Sequence, residues 1–327
     1  MERHALYFTA PGRVEVRTEP LAAPGPGEAR VQTICSAISA GTEMLVYRGE
    51  FPGGLSVDAT LSALSGNFAY PLRYGYAAVG RVTELGAGVA ADWLGRPVFA
   101  FQPHASAFVA PVAELQPLPE GLPPEDAVFL PNMETAVNFL LDGAPLIGER
   151  VAVFGQGVVG LLTTALLARL PLDSLHTFDR FALRREWSLK LGATASADPD
   201  EAPALDADLC YELSGSPAAL DCAIAATGFA GRIVIGSWYG EKRHPVDLGG
   251  RFHRERLRLI SSQVSTLTPE LQARWTKARR LQVAWQRLAE MKPSQLITHS
   301  FPLSDSATAY ALLDQHPDQA LQVIFRY

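Results

Sequence analysis

The chain has 327 residues, 48% of them hydrophobic and 19% charged, so it can bury a substantial core and is about twice as long as a common single domain. A formal net charge of -6 gives no electrostatic reason for a nucleic acid or an anionic membrane as partner. No apolar run approaches the ~20 residues of a membrane span, and Cys35, Cys210 and Cys222 form no C-x-x-C pair, which argues against a disulfide framework or a cysteine-rich zinc lobe.

The opening segment MERHALYFTAPGR lacks a signal-peptide pattern, and the expectation is a cytoplasmic protein with buried, inert cysteines acting on a small molecule. Short β-rich runs fill the first ~120 residues. RVEVRT, ARVQTIC, AVGRVTEL and RPVFAFQ are separated by Gly and Pro, which predicts a compact β domain. An apolar-periodic helix follows and ends at Gly143. Strands and helices then alternate. RVAVFG leads to a helix near Val158–Arg169, LHTFD to a helix through LRREWSLKLG, and DADLCYEL to SPAALDCAIAATG, with GRIVIGSW and RLRLISSQV closing the series. That order predicts an α/β fold with a doubly wound parallel sheet, a Rossmann domain, beside the β-rich domain. From Pro269 a basic segment has helical spacing, and after ITHSFPL comes a helix for which Ser304 or Asp305 are N-cap candidates.

RVAVFGQGVVG holds the most specific motif. Gly155, Gly157 and Gly160 have the G-x-G-x-x-G spacing between a strand and an apolar helix, with Gln156, Val158 and Val159 between them. The first glycine permits a tight turn, the second lets a pyrophosphate approach the backbone, and the third lets helix and strand pack. The phosphates would then sit at the helix N-terminus. A glycine-rich turn can also be purely structural. The acid Asp179, nineteen residues after Gly160, favours a dinucleotide whose ribose hydroxyls it would take. An acid there repels a 2'-phosphate, so NAD is expected over NADP. One of Arg180, Arg184 and Arg185, which follow closely, could accommodate that phosphate; Arg180 could instead stack on adenine, and the alternative for Arg184 and Arg185 is a solvated helix face.

On SAISAGTE, PLRYGYAAVGRVTELG, ETAVNFL, the glycine motif and ITHSFPL, the whole chain resembles the medium-chain dehydrogenase/reductase superfamily, the alcohol dehydrogenase-like group. The resemblance implies a GroES-like catalytic domain from both chain ends, residues 1–125 and 266–327, around a Rossmann domain at 126–265. It also implies a homodimer through the last Rossmann strand. Zinc-bearing members have Cys before G-[ST]-[DE], His-Glu after the glycine of the second motif, and Cys four residues before the Thr of the third. Here those positions are Ala40, Tyr76-Ala77 and Pro131, and residues 81–110 lack the cysteines of the structural lobe. No zinc is expected, since these side chains are not zinc ligands.

The resemblance makes Thr42 a candidate proton relay. Tyr76 at the lost histidine position could donate a hydrogen bond to a substrate oxygen, and Glu43 could orient either group or act as a base. Each has a structural alternative, as a turn cap, a core aromatic and an ion-pair partner. Thr135, Ser214, Gly236, Ser237 and Gln263 are further cofactor contacts implied by resemblance and strand-end position. Trp238 and Tyr239 could wall a substrate pocket. His253 and the cluster Arg251, Arg254, Arg256 and Arg258 are read as an exposed polar face.

Among zinc-free relatives the motifs most resemble the bacteriochlorophyllide dehydrogenase-like branch, which implies hydride transfer between NAD(H) and a secondary alcohol or ketone. The alternatives are an NADPH-dependent quinone or enone reductase and a catalytically silent dinucleotide-binding protein.

Overall fold

The computed structural model describes residues 1–53, 62–64, 66–201 and 205–327. By its internal contacts the chain divides into Met1–Pro131 with Leu288–Tyr327, and Asn132–Arg287. The borders therefore lie after residues 131 and 287, where the sequence suggested 125 and 265. Residues 266–287 go with the second unit because Arg280 is buried among its residues.

In the first unit β1 (Glu2–Ala10) and β2 (Arg13–Pro20) form a hairpin. β3 (Glu28–Ala37), α1 (Ala40–Arg48), β4 (Ala78–Leu85), β5 (Pro97–Ala100), β6 (Ala107–Pro111), β7 (Gln116–Pro117) and the short α2 (Pro124–Ala127) follow. α3 (Leu130–Gly143) leads into the second unit. The chain end returns as β14 (Ile297–Pro302), α9 (Ser306–Gln315) and β15 (Gln322–Arg326), giving the order β14-β15-β3-β4-β5-β7 with β6 paired to β3. Leu6, Phe8, Met44, Val46, Tyr310 and Phe325 share one core of this unit. α1 is a helix that the β-rich reading of this region did not include; Gly49 closes it in the left-handed conformation at φ +75°.

The second unit runs β8 (Arg150–Phe154), α4 (Val158–Leu167), β9 (Ser174–Phe178), α5 (Ala182–Lys190), β10 (Ala195–Ala197), β11 (Ala207–Glu212), α6 (Ala219–Ala226), β12 (Thr227–Ile235), the short α7 (Arg251–Arg254), β13 (Arg258–Ser261) and α8 (Lys277–Met291). All pairings in its sheet are parallel, in the order β10-β9-β8-β11-β12-β13. This is the doubly wound order, with its switch point between β8 and β11. RVAVF reads as one apolar run because both sheet faces are covered. Val151 and Val153 join Leu209, Tyr211 and Val234 on one face, and Ala152 and Phe154 join Phe178, Cys210 and Ile233 on the other.

Two local expectations change. α8 begins at Lys277 and not near Pro269, because Thr276 caps it by accepting the Arg279 N–H at 3.1 Å. Asp305, one of the two expected residues, holds the N-cap position of α9 but makes no side-chain capping bond, and a short turn at Leu303–Asp305 precedes it. Cys35 and Cys210 are buried, whereas Cys222 is only half-buried.

Candidate functional site

Gly155 directly follows β8; its φ is +93° and its N–H bonds Phe178 O at 2.8 Å. A Cβ here would lie 2.5 Å from the Ser214 backbone, and one on Gly160 would lie 2.0 Å from Gly155 O. Gly157 differs. It caps α4 with an ordinary φ of -65°, and nothing lies within 4 Å of where its Cβ would be. Val158, Val159 and Gly160 present first-turn N–H groups that an α-helix cannot satisfy internally. The result is an open cradle with an anion-binding helix start, which fits the pyrophosphate of a dinucleotide. Gly157→Ala is therefore expected to leave thermal unfolding unchanged and weaken NADH binding by about tenfold, with titration against NADH as the check. Gly160→Ala is expected to destabilise the unit itself.

Gln156 braces the turn from within. It is fully buried, its Oε1 accepts Thr164 Oγ1 at 2.9 Å, and its Nε2 donates to Gly155 O at 3.2 Å. Its backbone N–H goes to Asp179 Oδ2 at 2.7 Å, while Asp179 Oδ1 accepts the Phe181 N–H at 2.9 Å. The carboxylate is 7% exposed and has lone pairs left for ribose hydroxyls. Arg184 lies 3.6 Å from Asp179 Oδ2 and over the Phe181 ring. Arg185 donates to the carbonyls of Asp179 and Arg180. Neither arginine lies on a solvated face as expected, because Arg184 folds back toward the Asp179 carboxylate and Arg185 toward the loop carbonyls and Asp198. Arg180 itself is exposed.

The other cofactor candidates follow along the carboxyl edge of the same sheet. Ser214 gives both its N–H and its hydroxyl to the buried Glu212 carboxylate, and Tyr239 donates to the other oxygen of Glu212. Burial, then the Glu212 charge, pushes the Tyr239 hydroxyl pKa far up. A Cβ on Gly236 would meet the Phe139 ring at 2.3 Å, and Ser237 Oγ accepts the Gly215 N–H at 2.8 Å. Gln263 folds onto Ser265 and is exposed, and Thr135 is half-buried on α3. His253, Arg254, Arg256 and Arg258 are exposed, while Arg251 bonds Thr227 O and Asp206.

The sequence reading missed the charged cluster at the far end of this edge. Arg280, 1% exposed, meets Glu134 Oε1 through Nε and a terminal nitrogen at 3.1 and 2.9 Å, and donates also to Asn138 Oδ1 and to the carbonyls of Val264 and Thr266. Asn138 in turn donates to Asp142 and to Ser262 Oγ, at 2.9 and 3.1 Å. Burial raises the pKa of Glu134 despite Arg280, and raises that of Asp142. One signal could have found it: the buried positions 280, 284 and 288 of α8 are spaced by four, so its inward stripe starts on an arginine.

In the first unit Tyr76 donates to Ser39 Oγ and, at 3.3 Å, to Thr42 Oγ1, and all three residues are half-buried. Beneath them Glu43 is fully buried. Its Oε1 accepts the Ser39 N–H at 2.8 Å, and its Oε2 accepts Tyr310 OH and lies 3.0 Å from His104 Nε2. His104 Nδ1 is 2.7 Å from Ser36 Oγ, which is 2.8 Å from Tyr327 OH. Gly75 (φ +105°) makes room for this imidazole, since a Cβ there would lie 2.7 Å from Nε2. The Glu43 carboxylate holds Ser39, and thereby the partner of Tyr76, in place, and its hydrogen bonds go to the Ser39 N–H, His104 and Tyr310.

The donor set here does not fit zinc. Ala40 opens α1, the Tyr76 hydroxyl is engaged with two other hydroxyls, Pro131 has no donor side chain, and both nitrogens of His104 are taken. Cys35 donates to Pro124 O, and burial pushes its thiol up to about 12, away from the thiolate a metal needs. Among the described residues no three His, Cys, Asp or Glu side chains are grouped to hold a metal ion.

No protein-family model matches the chain. It is similar to D-guloside 3-dehydrogenase of Escherichia coli K12, 23% identical over 261 residues and covering 75% of each chain. It is also similar to 2-desacetyl-2-hydroxyethyl bacteriochlorophyllide A dehydrogenase of Cereibacter sphaeroides, 25% identical over 347 residues, covering 97% of this chain and 96% of that one. An alcohol dehydrogenase of Escherichia coli CFT073, solved in complex with NADH, superposes with a TM-score of 0.79 at 20% identity, covering 100% of this chain and 99% of that one. The chain thus has the alcohol dehydrogenase fold, a parallel-sheet Rossmann domain and a β-rich domain.

Proposed function

We propose that this protein is an NAD(H)-dependent oxidoreductase that interconverts a secondary alcohol and a ketone without zinc. The observation that carries the reading is the open cradle at Gly157, followed by the first-turn N–H groups of α4, with the Asp179 carboxylate just after the next strand. The similarity to dehydrogenases, one of them solved with NADH, supports the same reading.

A bound nicotinamide dinucleotide supplies the hydride acceptor or donor. The chain's own residues handle the proton. In the oxidation direction the substrate O–H gives its proton to the Tyr76–Thr42–Ser39 hydroxyls, each of which accepts one proton while releasing another, the last of them to bulk water beside the half-buried Thr42. In the reduction direction Tyr76 donates to the developing alkoxide. Glu43 is assigned a positioning role, holding the Ser39 backbone from below. A cytoplasmic homodimer belongs to the same reading, and light scattering tests the dimer.

The decisive experiment is a parallel fluorescence titration with NADH and NADPH, followed by a panel of secondary alcohols. NADH is expected to bind more tightly. The Arg184 contact with Asp179 favours NADPH, because it offsets the charge that repels a 2'-phosphate. Tighter NADPH binding would move the reading to an enone or quinone reductase. Binding of both without turnover of any alcohol, ketone or enone would leave a silent dinucleotide-binding protein, and binding of neither would overturn the proposal.

A further inference from the structure

We propose that Arg280 is a positioning residue for the nicotinamide half of the dinucleotide, holding Thr135 on α3 and the Gln263–Thr266 segment after β13 in one fixed arrangement. This rests on the dinucleotide reading above.

Placement comes first. Asp179 follows β9 directly, and Gln263 follows β13 by two residues. Four strand spacings separate these strands, about 19 Å along the carboxyl edge. The glycine turn at β8 lies next to the Asp179 end. With the adenosine ribose at Asp179 and the pyrophosphate at Gly157, the remaining half of an extended dinucleotide lies over β11, β12 and β13. Arg280 and its partners occupy that end.

The contacts explain why an arginine is needed there. After β13 the chain is irregular through Thr268, and within it the Thr266 N–H reaches Gln263 O at a long 3.4 Å. Its carbonyls at Val264 and Thr266 are held by the Arg280 guanidinium. The same guanidinium holds Glu134 and Asn138 on α3, on either side of Thr135. Asn138 adds a bond to Ser262 at the end of β13. A single planar fork with five N–H donors thus joins two elements that share no backbone ladder, which a lysine with its point charge cannot reproduce.

The energetics point the same way. A buried ion pair loses much of its Coulomb gain to desolvation, and apolar residues of similar volume often match it in stability. The raised pKa of Glu134 is the local sign of that cost. What such a cluster provides is a single geometry for the groups around it. A ligand that must present a nicotinamide ring in one orientation gains from that preorganisation.

The test separates the two halves of the cofactor by comparing ADP-ribose, which lacks the nicotinamide, with NADH. For Arg280→Lys we expect ADP-ribose affinity within about twofold of wild type and NADH affinity reduced by about tenfold or more. The double variant Glu134→Gln with Arg280→Met removes the charges while keeping the volume, and is expected to show the same split. Equal changes for both ligands, or no change in either, overturn the proposal. A readout on the unaltered protein stands beside these: NADH, but not ADP-ribose, is expected to slow amide hydrogen exchange at residues 134–138 and 263–266. Equal protection by both ligands also overturns it. If the wild type binds ADP-ribose and NADH normally and only the split is missing, Arg280 is a strut and the dinucleotide reading stands; if the wild type binds neither, the dinucleotide reading has failed as well.

Discussion

Replacing Tyr76 by Phe is expected to lower kcat by roughly 10²- to 10⁴-fold, the range of a lost general acid or base, with NADH affinity unchanged. The ring keeps its packing, because Tyr76 meets the Tyr74 ring edge-on at a centroid distance of 6.2 Å and lies against a core that the substitution does not alter. What disappears is one hydroxyl, the donor to Ser39 and Thr42. Stopped-flow measurement of hydride transfer, with NADH titration on the same preparation, separates the two effects. Unchanged turnover would make the hydroxyl a structural tie and shift the proton role to Thr42 alone. The proposed relay also predicts that Ser39→Ala acts in the same direction and less strongly, since Tyr76 would retain Thr42 as a partner.

The largest stability effect is expected at Arg280. Arg280→Ala should destabilise the second unit by about 3–5 kcal/mol, the cost of leaving a buried charge without its partner. Glu134 loses its cation, Asn138 Oδ1 loses a donor, and the carbonyls of Val264 and Thr266 are left without the guanidinium. Adding Glu134→Gln to Arg280→Ala should recover part of the loss, and urea unfolding of the four variants measures that coupling. Stability also depends on pH with a definite sign. Burial raises Glu134 and Asp142 above their ordinary values, so between the unfolded and folded pKa the folded unit binds more protons than the unfolded chain. Stability conferred by the protonated carboxyls is full below the unfolded values and is lost as pH rises through the raised ones. Without Arg280 the Glu134 carboxyl rises further, and the loss on raising the pH should be larger.

The Rossmann half was readable because its signals are local. Apolar runs with both faces covered, a glycine triad and an acid closing the next strand each follow from a few adjacent residues, and all reappear as β8, the turn, α4 and Asp179. The glycines carry their reasons in single distances, such as 2.0 Å from a Gly160 Cβ to Gly155 O. The start of α8 was read too early because the hydrophobic spacing continues upstream of Thr276, while the cap that sets the boundary is one side-chain bond.

The polar sites were less readable, since their partners lie far apart along the chain. Tyr310 and Glu43 are separated by 267 residues, Tyr327 and Ser36 by 291, and Arg280 and Glu134 by 146. No periodicity or spacing rule links such positions. By itself the sequence determined the main strands and helices of the Rossmann unit and the glycine turn between β8 and α4. Only the tertiary structure decided that Glu43 lies buried beneath Ser39, that Asp179 is already paired with Arg184, and that Arg280 is an interior residue. The physical reason is that backbone conformation and face burial are short-range properties of a chain, whereas a buried charge is stable only through partners that folding brings to it.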